Sequence, residues 1–418
     1  MAVPAGLRQV QVQPRDRAAA LGQWNSAVTS YYLITGVMAM LVALGLVMVL
    51  SSSSVDSLTA TSGASPYAIF LNQARYALIG VPLAWLASRL PIRFYKRYAW
   101  PILVGALTLQ ILVFSYLGRA SGGNRNWLQL PGGQSIQPSE FAKLALAVWL
   151  GVVLARKRAL LHRWVHVLVP GLLVALGAVG LVLLGHDLGT ALIMLILIAG
   201  ALFVAGVPLR MFAVALVVAA VALSQLAQGT DTRVARLNAF FNPECDVLNA
   251  CYQSQRGLYG LASGGLTGIG LGESREKWSY LPEAHNDFIF AIIGEELGLL
   301  GTLVVLGLFG LLTLALTRVI RRHGDPFVQI TTGAIGAWVL GQALINIAVV
   351  IGLFPVVGVP LPLVSAGGSA LITTMMALGV VLSFARAEPG AAEALAARPG
   401  VVRRSLAVIG RSPRGARG

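Results

Sequence analysis

Long apolar runs recur along the whole chain, and short polar or charged segments separate them. As α-helices, such runs are long enough to cross the roughly 30 Å hydrocarbon layer of a membrane. They are continuous rather than alternating, which excludes the strands of a membrane β-barrel. The pattern predicts an all-α polytopic membrane protein with ten transmembrane helices, at about residues 31–50, 68–88, 98–117, 138–155, 164–184, 187–206, 210–227, 286–318, 327–353 and 362–385.

Composition supports a membrane protein and leads to a different explanation of the net positive charge. Only 11% of the 418 residues are charged and 56% are hydrophobic, whereas soluble domains carry about 25% charged residues. The net charge of +15 would suit a nucleic-acid partner. However, most lysines and arginines fall on alternate loops, and this predicts cytoplasmic N- and C-termini by the positive-inside rule, with no nucleic acid bound.

Three segments follow from this pattern. Residues 1–30 are predicted to be a disordered cytoplasmic extension without a cleavable signal, because the first apolar run begins near Tyr31. Residues 31–385 form the transmembrane domain, with two long outer loops at 118–137 and 228–285. Residues 386–418 are predicted to be a disordered basic cytoplasmic tail.

The larger outer loop contains both cysteines, Cys245 and Cys251. An oxidising compartment permits a local disulfide, and two reduced thiols are equally consistent with the sequence. A zinc site would need two further ligands.

Charged residues inside the spans mark candidate chemistry, because each costs about 2.5–3.5 kcal/mol at the bilayer centre. Glu140 and Lys143 are three residues apart and share a helix face. They are either a structural ion pair or a phosphate-facing lysine held by a glutamate. Glu295 and Glu296 point about 100° apart, so one of them is expected to cap or pair internally, and neither is predicted to be catalytic.

Ionisable residues also gather before the eighth span, where Lys277, Glu283, His285 and Asp287 follow one another closely. Asp287 is either a helix cap or a general base, because nearby cations would keep its carboxylate ionised at neutral pH. Asp187 stands at another helix start, where capping is the simpler role.

Two glycine-rich stretches stand beside these residues. The run GGLTGIGLGES (264–274) lacks the spacing and the preceding strand of a dinucleotide site. We expect its glycines to let the backbone approach a bulky head group. The small-residue helix start around Ser369 either lines a cavity or allows close helix packing. The chain has no P-loop, D-x-D, H-E-x-x-H or G-x-S-x-G motif, and this argues against a soluble nucleotide donor.

Several blocks together resemble the SEDS (shape, elongation, division and sporulation) family of peptidoglycan polymerases across residues 31–385. The blocks are NRNWLQLPGGQSIQPSEFAKLAL, GHDLGTAL, QSQRGLYGLASGGLTGIGLGES, YLPEAHNDFIFAIIGEELG and PLVSAGGSALI. The amino-acid sequences of these blocks are closer to those of the division members of the family than to those of the elongation members. The insertion NPECDVLNACYQSQ suggests an actinobacterial branch.

The resemblance implies a glycosyltransferase in the bacterial plasma membrane at the division septum. It would polymerise lipid II on its extracytoplasmic face. By position, Asp287 matches the essential aspartate of the family, and Trp127 and Lys143 match cavity residues. Some members carry a basic residue where this chain has Ser135. The resemblance also implies a class B penicillin-binding transpeptidase and divisome regulatory membrane proteins as partners.

The predicted mechanism makes Asp287 the base, polyprenyl-diphosphate-linked glycan the donor and lipid II the acceptor. No ligand cluster in the sequence demands a cofactor, although a divalent cation (Mg²⁺ or Mn²⁺) would be able to share the phosphate charge. The predicted substrate-binding residues are Arg125, Trp127, Glu140, Lys143, Asp187, Arg233, Arg236, Lys277, Glu283, His285 and Ser369.

The sequence is also consistent with other functions. A lipid II flippase would also need intramembrane charges and broken helices. An elongation polymerase and a non-catalytic divisome scaffold are the further alternatives.

Overall fold

The computed structural model describes residues 26–121 except 27, 124–129, 135–217 except 216, 240–241, and 251–396 except 279. Several predictions lie outside the described residues: most of the 1–30 extension, most of the 210–227 span, the last part of the 386–418 tail, Arg233, Arg236 and Cys245. Cys251 is described and is held in a disulfide.

The described part of the chain is a bundle of helices with one small sheet. The helices are α1 (Thr29–Ser52), α2 (Ser54–Ala60), α3 (Ala68–Arg89), α4 (Ile92–Leu112), α5 (Pro138–Arg156), α6 (Trp164–Leu184), α7 (Leu188–Ala205), α8 (Tyr252–Ser263), α9 (Ile289–Arg322), α10 (Pro326–Val350), α11 (Gly368–Arg386) and α12 (Ala391–Ala396). The strands are β1 (Gly118–Ser121), β2 (Asn124–Gln129) and β3 (Ser135–Ile136). Residues 209–215 are also helical.

Seven helices in the described residues are each long and apolar enough to cross a membrane. Helices α3 and α4 meet at a bend of 118° and satisfy the same criterion as a pair, which raises the count to eight. The chain is therefore an all-α, multi-pass membrane protein. Nine of the ten predicted spans overlap one of the helices α1 to α11. The predicted span 210–227 overlaps the helical residues 209–215, and the full count of ten stays a prediction.

Helix starts follow local chemistry. Pro138 and Pro326 occupy first-turn positions of α5 and α10, where the missing N–H of proline leaves no helix bond unmade. The Asp325 side chain accepts a hydrogen bond from the Phe327 N–H at 3.0 Å and caps α10. The bend between α3 and α4 comes at Leu90, whose extended backbone is the conformation favoured before a proline.

The spans differ in how deeply they lie in the bundle. Helices α5 and α11 are the innermost, with 89% and 83% of their central residues buried, against 39% for both α1 and α9. The less buried α1 and α9 are more apolar than α5 and α11, as expected of spans that face lipid. The polar side chains of the inner helices, such as Glu140 and Lys143 of α5 and Ser369 and Thr373 of α11, are buried in the bundle.

The sheet lies in the loop between α4 and α5. Its strands run antiparallel in the order β1-β2-β3, with Arg119 opposite Trp127 and Leu128 opposite Ile136. The backbone N–H of Arg125 donates to the Gly185 carbonyl at 3.0 Å. That bond ties the sheet to the turn between α6 and α7, so the described residues of the predicted polar loop cover one end of the bundle.

Helix α9 is interrupted at Gly298, where φ is 67° and ψ is −163°. The break exposes backbone groups that a continuous helix would bond internally. The glycine-rich run supplies their partners: Ile269 N–H donates to the Glu295 carbonyl at 3.0 Å and Gly270 N–H to the Glu296 carbonyl at 3.1 Å. In turn, Leu299 N–H donates to the carbonyl of Gly265 at 2.9 Å.

Gly264 and Gly268 of that run therefore approach a helix, and the expected approach of the run to a head group stays a prediction. A Cβ on Gly264 would lie 1.9 Å from the Gly294 carbonyl oxygen, and one on Gly268 would lie 2.1 Å from that of Glu296. Glu295 and Glu296 are both bound internally, although the sequence predicted this of only one of them. Glu295 accepts from Ser274 Oγ at 2.5 Å and Glu296 accepts from Ser51 Oγ at 2.6 Å.

This packing predicts that Gly264→Ala destabilises the protein. Because the new methyl meets backbone rather than a flexible side chain, we expect a cost of about 1–3 kcal/mol, measured as a lower thermal unfolding midpoint in detergent. Gly307→Ala in α9 is the control, since nothing lies within 4 Å of its Cβ position. Equal midpoints for the two variants would contradict the assigned contact.

Candidate functional site

A cavity of about 190 Å³ lies at the end of the bundle that carries the sheet. The N-terminal ends of α5, α7 and α11, the turn before α9 and the 358–360 segment form its walls. It brings together six of the predicted site residues: Trp127, Glu140, Lys143, Asp187, Asp287 and Ser369. Further polar residues in the wall are Asn124, Asn126, Gln137, Thr190, Asn286 and Gln342.

The ion pair that the spacing in α5 predicts is present. Lys143 Nζ lies 2.8 Å from Glu140 Oε1, and the two side chains are only 2% and 6% exposed. Lys143 Nζ also donates to Gln342 Oε1 at 3.3 Å and lies 4.7 Å from the centre of the Trp338 ring. Glu140 accepts a further bond from Thr373 Oγ1 at 3.3 Å. These contacts compensate the desolvation of both charges.

Asp187 caps α7, as its position predicts. Its carboxylate accepts from the Thr190 N–H at 2.8 Å, from Thr190 Oγ1 at 2.7 Å and from Gln137 Nε2 at 3.0 Å. Burial raises the pKa of the Asp187 carboxyl, while the bonds from Thr190 oppose that rise. Asp187 is both a structural cap and part of the cavity wall.

Asp287 lies in the turn that leads into α9. The helix begins at Ile289 with Phe288 at the capping position, so the half-buried Asp287 side chain stands before the helix and lines the cavity. A Cβ on Gly358 would lie 3.4 Å from Asp287 Oδ2. The carboxylate is thus placed beside the loop between α10 and α11.

Two predicted cations lie outside the cavity wall. Arg125 Nη2 donates to the Ser115 carbonyl at 2.8 Å, and this bond ties its side chain to the connection between α4 and β1. Lys277 is 6% exposed and donates to the carbonyl of Gly272, so it braces the glycine-rich run. Among the described residues, Lys143 is the cation that lines the cavity.

The two remaining predicted residues, Glu283 and His285, precede Asp287 in the same turn and lie outside the cavity wall. His285 Nδ1 is 3.0 Å from Asp56 Oδ2, which links the turn to α2. Glu283 adopts a positive φ of 56°, and its carboxylate accepts from Asn286 Nδ2 at 3.4 Å. Both side chains belong to the support of the turn rather than to the cavity wall.

The two side-chain amides of α10, Gln342 and Asn346, were not among the residues predicted from the sequence. Gln342 contacts Lys143, and Asn346 is 2% exposed and contacts the backbone of the Asp287 turn. The available signal was their spacing: Trp338, Gln342 and Asn346 recur every four residues in an otherwise apolar segment. Polar side chains on one face of a membrane helix normally point into the bundle.

Within the part of the chain that the structure describes, no group of three or more His, Cys, Asp or Glu side chains is arranged to hold a metal ion.

The sequence matches the cell cycle protein family of FtsW, RodA and SpoVE over residues 31–389. The chain belongs to this SEDS family. Its relatives include the probable peptidoglycan glycosyltransferase FtsW of Mycobacterium tuberculosis, which is 41% identical over 92% of this chain and 73% of the relative. The protein of the same name from Coxiella burnetii is 38% identical over 82% of this chain and 93% of the relative.

Solved structures of SEDS proteins share the fold. One comes from work titled "Structural coordination of polymerization and crosslinking by a peptidoglycan synthase complex". It has a TM-score of 0.69 at 29% identity and covers 85% of this chain and 97% of its own. The rod shape determining protein RodA of Thermus thermophilus gives a TM-score of 0.63 at 29% identity, with the same coverage.

The buried pair leads to a prediction about stability within this SEDS bundle. Lys143→Met should lose about 3–5 kcal/mol, because it leaves Glu140 buried without its partner. The double variant Glu140→Gln/Lys143→Met should recover most of that loss, since no unpaired charge remains. Thermal unfolding in detergent measures both. Equal destabilisation of the single and double variants would show that the charges do not stabilise each other.

Proposed function

We propose that this chain is a peptidoglycan glycosyltransferase that polymerises lipid II into β-1,4-linked glycan strands during septal wall synthesis. The supporting observation is the cavity that unites Asp287 with the Glu140–Lys143 pair, in a chain of the SEDS family. Such a transfer needs two groups: a carboxylate that accepts a proton and a cation that faces the phosphate.

In the proposed reaction, the growing glycan on polyprenyl diphosphate is the donor and lipid II is the acceptor. Asp287 takes the proton from the 4-hydroxyl of the acceptor GlcNAc. The freed oxygen forms a bond to C1 of the donor MurNAc while the bond from C1 to the diphosphate oxygen breaks. The diphosphate leaves with the electron pair. One inverting displacement converts the α-linked donor into a β-linked product.

Lys143 is the proposed partner of the leaving diphosphate. Its ammonium is already desolvated, and a cation placed in a water-poor site stabilises developing negative charge more strongly than one in water. The contacts from Glu140 and Gln342 fix its position before substrate arrives. A cavity of about 190 Å³ is smaller than the 300–1,000 Å³ typical of whole-ligand pockets, so it suits the reacting ends only.

The proposal places this cavity on the extracytoplasmic side. The full arrangement would be ten membrane helices with both termini in the cytoplasm, which agrees with the distribution of basic loops. Trp127 and Ser369, also in the cavity wall, would contact the sugars. A class B penicillin-binding transpeptidase would crosslink the product, and divisome regulatory membrane proteins would control its timing.

A reconstituted reaction tests the function directly. Purified full-length protein is mixed with lipid II, with and without a class B transpeptidase from the same bacterium, and the products are separated by size. We expect polymer, and more of it with the partner. Translocation of labelled lipid II across liposomes without any polymer would instead favour a flippase. Inactivity in both assays would favour a scaffold.

Asp287→Asn should abolish polymerisation while leaving the protein folded. The amide keeps the shape of the side chain but takes no proton, and a positioned general base is worth about 10²–10⁴-fold in rate. Initial rates of glycan synthesis measure the loss. Glu273→Gln is the matched control, because Glu273 is an exposed carboxylate outside the cavity. Wild-type rates with Asp287→Asn would remove the base from the mechanism.

The phosphate role of Lys143 has a separate test. The double variant Glu140→Gln/Lys143→Met removes the cation without leaving a buried carboxylate. We expect its half-saturating lipid II concentration to rise about tenfold, the value of one charge-assisted hydrogen bond. Lys157→Met, at the far end of α5, serves as the control. An unchanged lipid II dependence in the double variant would argue against phosphate binding by Lys143.

A further inference from the structure

The turn that carries Asp287 is held by hydrogen bonds from outside its own segment. The Ala366 N–H donates to the His285 carbonyl at 3.0 Å, and Ser365 Oγ donates to the Asn286 carbonyl at 2.7 Å. These two bonds fasten the turn to the segment before α11. Because the turn lies before the first residue of α9, helix geometry alone does not set the direction of the Asp287 side chain.

The next carbonyl, that of Asp287 itself, is bound by Asn346 of α10. Asn346 Nδ2 donates to Asp287 O at 2.7 Å and to Val359 O at 2.8 Å. A side-chain amide nitrogen carries two hydrogens, so it serves both acceptors at once. The two carbonyl acceptors also require the nitrogen end of the amide to face the turn, which fixes its orientation.

Asn346 joins two walls of the cavity without being part of either. Val359 and Asp287 line the cavity, whereas Asn346 is 2% exposed and lies behind them. Gln342, one turn earlier in α10, makes the corresponding contact to the Pro360 carbonyl at 2.8 Å. Its Oε1 accepts from Lys143. The two amides of α10 thus connect the cation and the acid through one rigid helix.

We propose that Asn346 is a positioning residue for the general base: by bonding the Asp287 and Val359 carbonyls together, it sets where the Asp287 carboxylate stands in the cavity. This inference rests on the proposed function. Without the amide, the Asp287 and Val359 carbonyls lose this donor, and the bonds from Ser365 and Ala366 hold the two residues before Asp287 rather than its own carbonyl. A misplacement of about 1 Å at a reacting group lowers a rate by as much as 100-fold.

Asn346→Leu tests the proposal, because leucine has the same branched shape and number of side-chain heavy atoms as asparagine and has no donor. In the lipid II polymerisation assay with purified full-length protein, we expect turnover per lipid II-binding molecule to fall about 10- to 100-fold. The half-saturating lipid II concentration should stay within about twofold, since Asn346 does not line the cavity. Normalising to bound lipid II removes any loss of folded protein from the result.

Thr332→Val is the matched control on the same helix. Thr332 is fully buried, and its hydroxyl has no hydrogen-bond partner among the described residues. The valine variant should retain wild-type turnover. The proposal would be overturned if Asn346→Leu kept the wild-type turnover per lipid II-binding molecule. It would also be overturned if a higher half-saturating lipid II concentration accounted for the whole loss of activity in that variant.

A second substitution separates positioning from general support of the fold. Residues that act through one another give non-additive losses in a double-mutant cycle. On an Asp287→Glu background, Asn346→Leu should therefore add little further loss, whereas a purely structural role would multiply the two losses. If wild-type protein makes no polymer, the proposed function fails. If it does and Asn346→Leu matches it, only this inference fails.

Discussion

The buried ion pair of Glu140 and Lys143 is the interaction on which the cavity depends. Neither charge is stable alone inside an apolar bundle, and the pair itself is satisfied only with further partners. Those partners are Gln342 and Trp338 on α10 and Thr373 on α11. These contacts hold α5, α10 and α11 together. The polar cavity lies at the end of the bundle that contains the pair, and both residues of the pair line it.

Irregular backbone surrounds this cavity, and each irregular segment is satisfied by another part of the protein. The glycine-rich run forms backbone hydrogen bonds with the break in α9. The backbone carbonyls of the segment before α11 accept hydrogen bonds from the side-chain amides of Asn346, Gln342 and Gln73. Membrane proteins tolerate such segments only where protein or a water-filled cavity covers them. The carboxylate that we propose as the base lies beside the segment before α11, so hydrogen bonds from residues distant in sequence determine its place.

Hydropathy predicted most helices well because long apolar runs leave few alternatives in a membrane. Helix α6 was predicted at its observed bounds, and α5 and α7 within one residue. Helix α4 was placed about six residues late, because Arg93, Lys96 and Arg97 look like a loop in sequence although they belong to the helix. Long basic side chains reach toward the membrane surface and allow a helix to include them. The small sheet had no sequence signal, since its strands are short and polar.

Local sequence determined the membrane class, the apolar spans, the helix caps and the Glu140–Lys143 pairing, because each of these depends on residues a few positions apart. It also supplied the residue types of the site. Only the tertiary structure decided which of the predicted residues meet. Lys143 and Gln342 are 199 positions apart, and Asp287 is held by a residue 59 positions away. Such contacts arise from the packing of whole helices, which no short window of sequence describes.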